Sequence, residues 1–98
     1  MYVKDSTDVA LDELVPPPPG PWDDCFTNIV RWPKLTWPGA LELTIESNCS
    51  ELVVFDQLDH AICVEPQTAP PDALNFRPTV VEPGRPLIAE TTWSWQLL

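Results

Sequence analysis

The chain has 98 residues, enough for one small domain, and 44% of them are hydrophobic, with five tryptophans among them. That is more apolar surface than a disordered chain carries, so folding is expected. Fifteen acidic residues against five basic ones give a formal net charge of −10; such a chain repels a phosphate backbone and an anionic membrane surface, which excludes nucleic acid and membrane as partners.

Other classes fall to the same kind of argument. Cys25, Cys49 and Cys63 are odd in number and lack CxxC spacing, which points to reduced thiols and to neither a closed disulfide framework nor a zinc site; no metal is expected. The start, Met1 to Asp5, has no apolar signal core, and no apolar run approaches the ~20 residues of a membrane helix, so a cytoplasmic location is the expectation. Asn48-Cys49-Ser50 fits the glycosylation sequon but reads as a polar turn.

Residues 1–15 are polar and read as an N-terminal arm, and residues 16–98 as the folded portion. Pro16 to Pro19, with Gly20 and Pro21, form a stiff connector, because proline fixes φ and turns its predecessor away from helix. Asp23 and Asp24 follow, either in an Asx-type turn or in an extended segment; if extended, they point to opposite sides. Leu41, Leu43 and Ile45 alternate with Glu42, Thr44 and Glu46, the period of a strand with one dry and one wet face. Apolar runs at 52–55 and 61–64 follow closely, and three strands in succession suggest an antiparallel meander. Pro66, Pro70 and Pro71 place Glu65 where the third strand empties into a rigid loop. Glu82-Pro83-Gly84-Arg85-Pro86 reads as a turn, and residues 87–98, rich in Thr and Trp, as a final strand. Trp93 and Trp95 then face one side, in a core or edge-covering role, with sugar stacking as the alternative. The expected class is mostly β, an antiparallel β-sandwich.

Two segments concentrate polar groups against apolar or rigid backbone: residues 22–26, and Glu65-Pro66-Gln67-Thr68 continuing to Asn75. A carboxylate at the end of a buried strand loses hydration, which suits a general base. Read without that burial, Glu65 is a hydrated or hydrogen-bonded loop carboxylate. His60 is the only histidine and reads as a turn residue with no second histidine to partner it. No GxSxG setting exists for Ser-His-Asp catalysis.

The run from Asp59 to Asn75, in which a strand ends in Glu65, Gln67 follows, and Pro71-Asp72-Ala73-Leu74-Asn75 closes, resembles the C-terminal signature of the aldose 1-epimerases (galactose mutarotases). The segment from Pro18 to Phe26 is similar to the family's Asp-x-x-Phe stretch, and Pro83-Gly84-Arg85 leading to Trp93 resembles its closing turn. The resemblance implies part of a large antiparallel β-supersandwich that interconverts the α and β anomers of a free aldohexose without a cofactor. Within it, Glu65 matches the base that takes the proton of the C1 hydroxyl, and Asp23 a carboxylate that hydrogen-bonds a sugar hydroxyl. The family's histidine acid and its second histidine have no matching position in this sequence, so the resemblance implies a truncated chain. It is an epimerase if completed by that acid, or otherwise a non-catalytic carbohydrate-binding or interaction module. Sheets cut from a larger sandwich leave apolar faces and open edges, which implies a homo-oligomer such as a dimer.

Overall fold

A computed structural model describes residues 21–98. The polar arm at 1–15 and the proline run up to Gly20 lie outside the described residues. Six strands and one short helix follow in the order β1 (Asp23–Thr27), β2 (Lys34–Trp37), β3 (Leu41–Ser47), β4 (Glu51–Leu58), β5 (Ala61–Gln67), α1 (Ala73–Phe76) and β6 (Thr91–Leu97). They form two three-stranded antiparallel sheets, ordered β1-β4-β5 and β2-β3-β6. The protein is mostly β, with the sheets of a β-sandwich-like fold.

The expected meander is corrected by this topology. β4 and β5 do form a hairpin, but β3 and β4 belong to different sheets. The reason lies in how the triplet after β3 is used. The Asn48 Nδ2 amide donates to the Ile88 carbonyl at 3.0 Å, and its Oδ1 accepts from the Glu90 amide at 2.9 Å. Ser47 Oγ donates to the Glu90 carbonyl at 2.7 Å, and Ser50 Oγ to that of Thr68 at 3.1 Å. These bonds fasten the end of β3 to the chain entering β6, and the next residues to the end of β5, so the polar triplet works as a crossover between sheets. The Asn48 amide is thereby committed to the backbone rather than held out as a glycosylation acceptor.

Within the second sheet the alternation read at 41–46 is present. Leu35, Leu43 and Trp95 occupy successive opposed positions, as do Trp37, Leu41 and Leu97, and Ile45 stands opposite Trp93. Directly opposed residues share a face, so one face is apolar throughout, ending in the polar pair Ser47 and Thr91. The other carries Lys34, Thr36, Glu42, Thr44 and Glu46, with Lys34 and Glu42 ion-paired at 3.1 Å. The β2–β3 hairpin closes through a type II turn in which the Ala40 amide donates to the Trp37 carbonyl at 3.0 Å. Pro38 presets the first corner, and Gly39 takes φ of 73° at the second. Residues 82–85 repeat the same device, with Gly84 at φ of 80°, as expected.

The core is small: Phe26, Ile45, Leu52 and Ala73 are its buried apolar residues, joined by the buried carboxylate Glu51. Trp22 packs its ring against Phe26, with centroids 5.3 Å apart. Trp93 and Trp95 do share a side, but they are 61% and 70% exposed, so neither is in a core. Nothing in the described chain lies over β6, the end strand of its sheet.

Candidate functional site

β4 is the central strand of the first sheet, and its register fixes what stands beside Glu65. Cys25, Val53 and Glu65 form one row across the three strands; Asp23, Phe55 and Cys63 form the next; Thr27, Glu51 and Gln67 form the row on the other side. Residues two apart on a strand share a face, so Asp23 and Glu65 emerge on the same side, two strand spacings and one row apart, with β4 between them. Strand spacing and rise put their Cα atoms on the order of 12 Å apart. Asp24 points to the opposite face with Phe26 and Leu52, and the extended reading of 22–26 is the one realised, as strand β1.

Glu65 differs from expectation in its setting. The strand does not end there: it runs through Pro66, opposite Leu52, to Gln67. Pro66 is tolerated because β5 is an edge strand. Glu65 is exposed, so its carboxylate keeps contact with water, and of its two readings the hydrated, hydrogen-bonded carboxylate is the one realised. Its bond comes from Gln67, whose Nε2 donates to Oε2 at 3.0 Å. Asp23 is likewise exposed.

The buried charge on this face is one the sequence reading passed over. Glu51 is 1% exposed and pairs with the guanidinium of Arg77, which is itself half out of the protein. The second oxygen, Oε2, has no partner among the described residues. Residues 71–77 explain how Arg77 gets there. A single helical turn, α1, is closed by the Arg77 amide donating to the Ala73 carbonyl at 2.8 Å and stops before Pro78. Asn75 Nδ2 donates to Asp72 Oδ1 at 2.5 Å across that turn, and buried Ala73 anchors it. The Pro-Asp-Ala-x-Asn run is thus a compact turn that sets Arg77 on the sheet. Arg77 also acts on Cys25: burial pushes this thiol up from its ordinary range, and the nearby guanidinium partly offsets the shift. A signal for Glu51 was present in the sequence. The run 52–55 is apolar at every position, which marks a strand covered on both faces, and Glu51 opens that run.

No protein-family model, curated protein or solved structure matches this chain.

His60 lies apart from Glu65. It is exposed in the β4–β5 turn, five residues along the strand from Glu65 or ~16 Å by strand rise. There it borders an open cleft of about 490 Å³ with Trp37, Asp56, Asp59 and Ile62. Asp56 is already engaged, accepting from the Trp22 amide at 2.5 Å. Among the described residues no group of three or more His, Cys, Asp or Glu side chains could hold a metal ion, and no helix is long and apolar enough to cross a membrane. Cys25, Cys49 and Cys63 are free thiols.

Proposed function

We propose that this chain is an aldose 1-epimerase-like protein whose β1-β4-β5 sheet binds a free aldohexose between Asp23 and Glu65. The observation that carries this reading is the shared face: two exposed carboxylates, separated by about the width of a sugar and its hydroxyls, with Gln67 bonded to one of them. Exposed carboxylates are good acceptors for sugar hydroxyls, and a hydrated Glu65 accepts the C1 proton when the ring oxygen is protonated from the other side. That acid is not His60, which sits at the far end of the hairpin. The chain alone therefore binds without turnover, as a carbohydrate-binding module, and epimerises only when a second group supplies the acid. No cofactor enters the scheme, and the proposal includes a cytoplasmic location and a homo-oligomer, a dimer being the smallest.

Titration of labelled protein with glucose and galactose, read by NMR, tests the site. Resonances of β1 and β5 are expected to shift, with Asp23→Ala and Glu65→Gln each weakening binding about tenfold, the scale of one charge-assisted hydrogen bond. Polarimetry of fresh α-anomer with the chain alone is expected to match buffer. If millimolar sugar moves no resonance of these strands, the binding claim fails; if the chain accelerates mutarotation unaided, the binding-only reading fails.

A further inference from the structure

We infer that the apolar face of the β2-β3-β6 sheet, centred on Trp93 and Trp95, packs against the same face of a second copy of this chain. Trp37, Trp93, Trp95 and Leu97 share this face and are 45%, 61%, 70% and 79% exposed. With up to ~250 Å² per tryptophan, these four alone leave on the order of 600 Å² of apolar surface in water. That reaches the upper end of the ~300–600 Å² of the largest patch on an ordinary monomer. A standard interface buries about 800 Å² per partner, and the half-buried Leu41 and Leu43 on the central strand β3, in the rows of Trp37 and Trp95, make up much of the difference.

Charge selects the occupant. The chain carries −10, which opposes association in general, yet every ionised group of this sheet stands on its other face or outside it. An isologous contact brings each patch against itself; the side chains of this patch carry no charge of their own, and the nearest carboxylates, Asp56 and Asp59, stand at its Trp37 end, away from Trp93 and Trp95. An anionic lipid surface is disfavoured by the same −10. A saccharide needs hydroxyl or amide partners beside the rings that stack on it; the rows of Trp93 and Trp95 offer none before Ser47 and Thr91, and Asp56, Asp59 and His60 stand only at the Trp37 end. The adjoining edge points the same way. Among the described residues β6 pairs only with β3, and Thr91 to Leu97 contains no charged residue and no proline, the devices that usually guard an open edge. A second copy laid on the face also shields that edge.

This assignment rests on the self-association in the proposed function and is independent of the sugar site. Sedimentation and light scattering of the full chain at micromolar to submillimolar concentration are expected to give twice the 11.0 kDa chain mass. Trp95→Glu is expected to raise the dissociation constant at least thirtyfold, the scale of a hot-spot residue, whereas Thr92→Lys on the polar face leaves it unchanged. In the unaltered protein, tryptophan emission is expected to shift to the blue as concentration crosses the dissociation constant, a readout that needs no variant to fold. A dimer indifferent to Trp95→Glu would mean that association uses another face, overturning this assignment while leaving self-association standing. A monomer throughout the range overturns both. A monomer that is retained on an insoluble glucan through Trp95 would make the face a saccharide platform instead.

Discussion

The two sheets are built alike, three antiparallel strands each, yet one buries residues on both faces and the other buries Ile45 alone among its described residues. In β1-β4-β5, Phe26 and Leu52 are buried on one face, while the other buries Glu51, with Arg77 bonded to it from beyond α1. In β2-β3-β6 only Ile45 is buried, and the strand beside it holds its tryptophans in water. Strand formation is thus separable from burial. Hydrogen-bonded pairing and a dry/wet alternation suffice to build the second sheet, whereas its stability must come from pairing, its turn, and whatever covers its face.

That contrast predicts unequal costs for equal truncations. Phe26→Ala in the covered sheet is expected to lose about 3–5 kcal/mol, the usual cost of removing a buried aromatic ring. Trp93→Ala removes a larger side chain, but in dilute protein it loses only its cross-strand contact with Ile45, about 0.5–1 kcal/mol. Urea unfolding of both variants at low concentration measures the difference. Similar costs would mean that the two sheets are equally packed. At high concentration the Trp93→Ala cost is expected to grow, because association adds stability by mass action.

The sequence makes some of this legible and hides the rest for identifiable reasons. The 41–46 alternation, the hairpin of 52–55 with 61–64, the Pro-Gly turn at 83–84 and the mostly β class are all present. β2 was missed because four residues, Lys34–Trp37, hold only two on the apolar face, although Pro38-Gly39 carried the same turn signal that was read at 83–84. The sheet assignment of β3 was not legible, since it depends on Asn48 bonding residues 88 and 90, some forty positions away. For the site, alternation puts Asp23 and Asp24 on opposite faces without any structure. That Asp23 shares its face with Glu65 required the register of both strands on β4. Of the two readings of Glu65, the hydrated and hydrogen-bonded one is realised, and choosing between them required the structure, because apolar neighbours in sequence point to the other face of the strand.

A smaller effect separates the sheets electrostatically. Among the described residues each carries one ion pair, but Lys34 and Glu42 are both substantially exposed, whereas Glu51 is buried. Arg77→Ala leaves a carboxylate in the core with neither oxygen partnered and is expected to cost about 2 kcal/mol, below the range for a fully buried pair because the guanidinium is half exposed. Lys34→Ala is expected to cost no more than about 0.5 kcal/mol. Glu51→Leu, which removes the buried charge itself, is expected to be near neutral, since an apolar isostere replaces a desolvated ion. A Glu51→Leu variant as unstable as Arg77→Ala would show that the pair holds the sheet by more than charge satisfaction.

The smallest effect appears only at alkaline pH and again belongs to the covered sheet. Cys25 stands one row from Glu51, and burial raises its folded-state pKa while Arg77 pulls it down. A thiol whose pKa is raised by folding contributes fully below its unfolded value of about 8.5 and loses that contribution as pH rises through the folded value. Stability is therefore expected to decline from about pH 8.5 upward, with part of the slope absent in Cys25→Ala. Arg77→Ala is expected to enlarge the thiol's share of that decline, because burial then acts on the thiolate unopposed. Urea unfolding across the alkaline range, with the single variants and their combination, separates the two causes. If Cys25→Ala leaves the slope of the Arg77→Ala protein unchanged, the thiol is not the group that titrates, and the coupling between Cys25 and the guanidinium of Arg77 is refuted.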